Sequence, residues 1–243
     1  MTPPLFLLDP IPDGDELYLC GDEGRHAAKV KRVRAGETVL VSDGRGRLLT
    51  CTVRSVAGDG LTLGVLGREL VPEGQPRLVV VQALPKGERA ELAVEVLTEL
   101  GVDRIVPWAA GRSVVQWQGT RGEKALARWR RTAAEAAKQS RRGRVPVVTE
   151  LATTGDVATL LAAAEVAIVL HENAEVPLAA VPLPLVGDIV VVVGPEGGVA
   201  DDELTLFDDA GAHLVRLGPT VLRTSTAGPA ALAALSLRLG RWG

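Results

Sequence analysis

The run Ile189-Val190-Val191-Val192-Val193 stops at Gly194-Pro195-Glu196-Gly197-Gly198, and Asp201-Asp202-Glu203 then supply the acids that suit the first turn of a helix. Five successive β-branched apolar residues leave no polar face. The segment therefore reads as a strand covered on both sides, as in a parallel sheet between helical layers. Glycines after such a strand let the backbone approach a ligand closely, and open α/β sheets bind ligands outside the carboxyl ends of their strands. The turn has neither a G-x-G-x-x-G spacing nor a P-loop lysine, and it carries the carboxylate of Glu196. That favours a small non-phosphorylated cofactor over a polyphosphate. On the glycines alone, an ordinary strand-to-helix turn is an equally good explanation.

The rest of the chain divides by pattern. Up to about residue 72, short apolar segments alternate with glycine: Glu16–Leu19, Thr38–Val41, Leu48–Val53 and Leu61–Leu66. Asp43-Gly44 supplies the positive φ of a tight hairpin between two of them. A small antiparallel β-barrel is expected there. Val71-Pro72-Glu73-Gly74-Gln75-Pro76 reads as a linker. Beyond it come strands at Leu78–Ala83, Arg104–Pro107, Val166–Leu170, Asp188–Val193 and Leu214–Leu217. Helices are expected at Glu88–Leu100, Lys124–Ser140, Asp201–Ala210 and Ala227–Leu239. This is an α/β order, and the boundary gives domains 1–72 and 73–243.

Composition excludes several classes. Hydrophobic residues make up 47% of the 243, enough for a large core. No long uncharged apolar run is present and the start lacks the order of a signal peptide, so a protein retained in the cytoplasm is expected. Cys20 and Cys51 share no metal-type spacing with each other or with the three histidines, which suggests neither a metal site nor a disulfide framework. Net charge is −3, yet basic residues concentrate in 25–34 and 121–144, whereas Glu150–Asp209 has no Lys or Arg. A local polyanion footprint is possible on such a distribution; solvated faces account for either run taken singly.

A second segment, Leu217-Gly218-Pro219-Thr220-Val221-Leu222-Arg223-Thr224-Ser225-Thr226, joins a strand to the last helix. Thr224, Ser225 and Thr226 are candidate N-caps, and Pro229 fits a first helical turn. Arg223 adds a permanent planar cation that capping does not require.

Taken together, these residues resemble the 16S ribosomal RNA uridine-N3 methyltransferases of the SPOUT superfamily. The resemblance rests on Gly194-Pro195-Glu196-Gly197-Gly198, Leu217-Gly218 and Val221-Leu222-Arg223-Thr224. Lys86, the 98–107 stretch, Arg112-Ser113, the 135–142 helix end and Val145-Pro146 extend it, as do His26 and Val30-Lys31-Arg32-Val33. It departs from the family at Pro3-Pro4, at Pro219 and at Ser225, where basic, Arg and Glu residues respectively are often found. The resemblance implies a PUA-like N-terminal β-barrel that binds RNA and a C-terminal α/β domain with a parallel sheet and a deep trefoil knot. It also implies a homodimer and S-adenosyl-L-methionine as cofactor.

Carried over by position, Leu170, His171 and Glu172, then Gly194 and Gly198, then Leu217, Gly218, Val221 and Leu222 would surround the cofactor. Arg223 would stabilise the uracil anion, and Glu196 would help position the sulfonium or the base. Of the side chains near the pocket, His171 comes nearest to a general base by its ordinary pKa. Phosphate contacts would come from Arg25, His26, Lys29, Arg32, Arg34 and Arg45, extended by Arg112, Arg141, Arg142 and Arg144. Trp108, Trp117 and Trp129 read better as core than as stacking platforms. Alternatives are another SPOUT methyltransferase acting on ribose or guanine, or a non-catalytic ribosome-assembly factor that binds RNA. A dinucleotide enzyme is disfavoured by the missing fingerprint.

Overall fold

The computed structural model describes residues 2–87 and 89–242, and the chain forms two compact units. One contains the chain through Glu73 together with Ala134–Val145; the other contains Gly74–Ala133 and the chain from Pro146 onward.

In the first unit, strands β1 (Leu5–Leu7), β2 (Glu16–Leu19), β3 (Thr38–Ser42), β4 (Arg47–Ala57) and β5 (Gly60–Leu70) form one sheet in the order β1-β3-β4-β5-β2. Alternation decides which side faces in: Val39 and Val41, Leu49, Cys51 and Val53, and Leu61 and Leu63 share one core with Phe6, Leu17 and Leu19. Register shifts at Thr50/Cys51 and Val53/Ser55 mark where the β4–β5 ribbon departs from regular pairing. The expectation of a purely antiparallel sheet fails at β1, which pairs parallel to β3 with Leu5 opposite Leu40. Residues 8–37 provide the long crossover that parallel pairing needs. Three residues after two prolines were too short a run to read as a strand. Between β2 and β3, α1 (Gly21–Arg25) runs into a π-helical turn at His26–Val30.

The end of the long helix belongs to this unit. Lys138 is tied to Glu23 and to Glu135 at 2.7 Å, and Glu23 also accepts the Leu7 N–H at 3.1 Å. Burial pulls the Lys138 ammonium downward, but hydrogen bonds and charge from Glu135 and Glu23 outweigh it and hold its pKa above the ordinary lysine value. The resulting stabilisation is present below that range and lost only as pH rises through the raised value, so neutral pH leaves it intact.

Burial pushes the Cys51 thiol up to about 11, only partly offset by the positive charge of Arg68, while Cys20 is exposed. A thiol reagent at neutral pH should therefore modify one cysteine of the native protein and both in denaturant. Two fast-reacting native thiols would contradict this packing.

The second unit is a six-stranded sheet, β11-β9-β10-β6-β7-β8, in which every pair is parallel. Its strands are β6 (Arg77–Ala83), β7 (Arg104–Trp108), β8 (Val147–Val148), β9 (Val166–Leu170), β10 (Asp188–Val193) and β11 (His213–Val215). The helices are α2 (Arg89–Glu99), α3 (Gly119–Gln139), α4 (Thr154–Ala162), α5 (Asp201–Asp209) and α6 (Thr224–Arg238). Glu88, the expected start of α2, lies outside the described residues. Helix α4 escaped the apolar pattern, but its signal was present: Thr153 and Asp156 form a reciprocal capping box. Helix α3 begins five residues earlier than apolar spacing indicates, since the Gly122 N–H already bonds the Gln118 carbonyl. Trp108 and Trp129 are core residues as expected, whereas Trp117 is only half-buried and packs edge-on to Trp129 at 5.0 Å. No helix is long and apolar enough to cross a membrane among the described residues.

Two local expectations near the C-terminus change. The strand expected at 214–217 is His213–Val215, because Arg216 turns away to bridge Pro177, exchanging bonds with Val176 and Leu178. Thr224, Ser225 and Thr226 are not N-caps; they form the first turn of α6, and Arg223 is the N-cap residue without a side-chain cap. Pro229 accordingly falls in the second turn.

Candidate active site

The strand order places the carboxyl ends of β9, β10 and β11 side by side, with β10 between β9 and β6. This is the crevice where open α/β sheets hold ligands. From β9 come Leu170, His171 and Glu172; from β10 the turn Gly194–Gly198; after β11 the loop Leu217–Arg223. Together they line two contiguous cavities of about 80 and 290 Å³ that share Leu170, His171, Glu172, Val221, Leu222 and Ala227.

All nine residues expected to touch a cofactor line one or both cavities, and Glu196 and Arg223 line the larger. Of the residues expected to contact RNA, only Arg112 lies at this crevice, against the glycine turn. Arg25 and Lys29 are engaged with Asp59, Arg45 with Asp9, and Arg144 with the Val71 carbonyl. His26, Arg32, Arg34 and Arg141 line a separate cavity in the first unit. Arg142 is half-buried and its N–H closes the end of α3 on the Ala137 carbonyl.

The glycine turn is built by packing. A Cβ at Gly194 would lie 2.8 Å from Val199 Cγ2, and one at Gly197 3.2 Å from Arg112 Cβ; Gly198 has φ +74°. Arg112 donates to the Val199 carbonyl at 3.3 Å and pairs with Asp201 at 3.6 Å, so this cation braces the turn. Behind it Glu203, buried, accepts the N–H groups of Gly111 and Ala200 and the hydroxyl of Thr154, at 2.8, 3.0 and 2.9 Å. Sequence reasoning missed Glu203 as a bracing residue; its position three after Ala200, typical of a capping box, was the available signal. Gln82, fully buried in β6, donates to the Thr224 carbonyl at 3.3 Å and anchors the start of α6.

Polar roles divide clearly. Glu196 accepts the Lys86 N–H at 3.2 Å, and His171 Nδ1 accepts the Asn173 N–H at 3.2 Å. Arg223 is exposed at the mouth of the larger cavity, and its guanidinium has no carboxylate or carbonyl partner among the described residues. In the loop before it, the N–H groups of Leu217, Gly218, Val221 and Leu222 donate to no backbone carbonyl among the described residues. Gly218 has nothing within 4 Å of where a Cβ would stand. Ser225 is buried in α6 and lines neither cavity.

Replacing Gly194 with alanine should displace the turn, because the added Cβ would lie 2.8 Å from the buried Val199 side chain. The expected result is a drop in melting temperature and about tenfold or weaker cofactor binding, measured by calorimetry. Unchanged binding would mean that the turn has slack the packing does not show.

A pocket at the carboxyl ends of a parallel sheet and a separate small β unit fit the class that family models identify: residues 72–236 match an RNA methyltransferase domain and residues 19–66 an RNA methyltransferase PUA domain. The chain is 47% identical over 247 residues to ribosomal RNA small subunit methyltransferase E of Mycobacterium tuberculosis, covering all of this chain and 94% of the relative. It belongs to the ribosomal RNA small subunit methyltransferase E family. Among solved structures, that enzyme from Neisseria gonorrhoeae, bound to S-adenosyl methionine, superposes with a TM-score of 0.86 at 29% identity over 98% of both chains. A Legionella pneumophila methyltransferase in complex with SAM gives a TM-score of 0.88 at 25% identity, also over 98% of both.

Proposed function

We propose that this chain methylates N3 of one specific uridine in the 16S RNA of the small ribosomal subunit, using S-adenosyl-L-methionine. The observation that carries this reading is the junction, at one crevice, of a pocket lined by the glycine turn and the 217–222 loop with an Arg223 that has no partner among the described residues. The pocket suits the cofactor: adenine needs apolar contact and edge hydrogen bonds, which Leu170, Val221, Leu222 and the free N–H groups of the 217–222 loop offer. The open space over Gly218 leaves room for a ligand against the backbone. Glu172 and Glu196 beside the pocket suit a cationic sulfonium and oppose a polyphosphate.

When bound, the cofactor supplies an electrophilic methyl group. The protein must then favour loss of the weakly acidic imide proton of uracil and hold the ring in line. Arg223 stabilises the developing uracil anion, a charge fixed in advance and therefore cheap to use. Glu196, already oriented by the Lys86 N–H, positions the cationic end of the pocket. His171 Nδ1 is occupied by Asn173 N–H, which leaves the ring a positioning role rather than that of a base.

The division near residue 72 separates an RNA-docking PUA-like barrel from the SPOUT domain. A trefoil knot at the C-terminus is supported by the tie between the last segments and the β9–β10 connection: Arg216 bridges Pro177, and Arg238 donates to the Leu178 and Val181 carbonyls at 2.8 and 2.6 Å. Half-exposed Leu222 and exposed Val221 beside the pocket support a homodimer that covers them. Two free cysteines suit a reducing cytoplasm.

The test is transfer of labelled methyl from S-adenosylmethionine to small subunits lacking this modification, followed by nucleoside analysis. Formation of 3-methyluridine is expected. A methylated guanine or ribose would redirect the reading to another SPOUT activity, and absence of cofactor binding would favour an assembly factor.

A further inference from the structure

Resting on the reading that Arg223 stabilises the uracil anion, we infer that Gln82 is a positioning residue for methyl transfer: it holds α6 by the Thr224 carbonyl and so fixes where the Arg223 guanidinium stands. Gln82 lines neither cavity of the crevice, so it acts through the helix and not on a ligand.

The side chain is out of keeping with its strand. β6 runs Arg77-Leu78-Val79-Val80-Val81-Gln82-Ala83, and everything in it from Leu78 onward is buried. An aliphatic residue at position 82 would fill such a place without desolvating an amide. The Gln82 nitrogen donates to the Ala83 carbonyl at 3.0 Å and to the Thr224 carbonyl at 3.3 Å. Both neighbours accept only, so the amide must turn its nitrogen toward them. Its oxygen is then left buried, with no donor among the described residues. A buried acceptor without a partner destabilises the fold, so a group kept in that state calls for a reason other than stability.

The place where Gln82 grips the helix supplies that reason. Thr224 opens α6 and lines the larger cavity, and Arg223 before it is an N-cap residue without a side-chain cap. The Arg223 carbonyl accepts the N–H groups of Thr226 and Ala227 at 2.8 and 2.9 Å, so its backbone belongs to the turn that Gln82 holds. One turn on, Gly228 lets the helix lie close against the sheet. A Cβ there would stand 3.2 Å from Leu97 Cδ2, 3.3 Å from Val193 Cγ2 and 3.6 Å from Gln82 Oε1. Val193 ends β10 directly before the glycine turn. One tether and one glycine therefore seat the start of α6 on the ends of β6 and β10, and a long, unpartnered guanidinium gains a fixed origin beside the pocket.

The test is a double-mutant cycle in the full chain, with Gln82→Met, Arg223→Ala and the two combined assayed for methyl transfer to small subunits. Methionine fills a similar volume and carries no amide, so the melting temperature should stay close to that of the parent, and S-adenosylmethionine affinity within about twofold. The kcat should fall about tenfold or more while KM for the subunit changes little, as when a charge is displaced and not removed. In the Arg223→Ala background the same substitution should cost nothing further, because the group it positions is gone. Gln82→Asn keeps the amide but falls short of the Thr224 carbonyl; it should lose rate in the same sense, and it carries the test if the methionine variant does not fold. Full kcat in a folded Gln82 variant, beside a slow Arg223→Ala, overturns the positioning role and leaves Arg223 in place. So does an equal loss in both backgrounds, which would separate Gln82 from Arg223. Normal turnover by Arg223→Ala itself overturns the reading of Arg223 and this inference with it.

Discussion

Arg223→Ala is expected to lower turnover with ribosomal RNA by about 10²–10³-fold while cofactor affinity, measured by calorimetry, stays within about twofold. The guanidinium lines the larger cavity without a partner among the described residues, so its removal leaves none of their groups unsatisfied. Its loss should appear in the transition state alone, where the uracil ring carries negative charge. Arg223→Lys keeps the charge but not the planar fork and should recover part of the rate. A near-normal rate for the alanine variant would remove Arg223 from the chemistry.

Glu203→Ala is expected to destabilise the protein by about 3–5 kcal/mol, a fall on the order of 10 °C in the melting transition. The carboxylate is 5% exposed and accepts three hydrogen bonds. Without it the N–H groups of Gly111 and Ala200 lose their acceptor, at about 1–3 kcal/mol each. Since the Gly111–Arg112 stretch braces the glycine turn, cofactor affinity should fall as well. Glu203→Gln keeps one acceptor oxygen and should lie between the two. An alanine variant as stable as the parent would show that these groups find other partners.

Much of the site was legible in the sequence. The valine run and its glycine turn fixed a covered strand with a ligand-facing end, and β9 and β10 have the bounds that apolar runs alone gave. The nine residues expected at a cofactor all line the two cavities at the ends of β9, β10 and β11, since each lies at the end of a strand or in the loop that follows. The surface cations were less legible. Arg25, Lys29 and Arg45 sit in the same basic runs as Arg32 and Arg141, yet their partners Asp59 and Asp9 are distant in sequence.

Local pattern determined most of the longer strands and helices and where the glycine turns fall, because hydrophobic period and backbone freedom act over a few residues. Tertiary structure alone decided the β11-β9-β10-β6 order that makes the pocket, the parallel pairing of β1 with β3, the bracing by Glu203, and the meeting of Arg32 with Arg141 across 109 positions of chain. These depend on which distant surfaces bury one another, a free energy that no short stretch of sequence carries by itself.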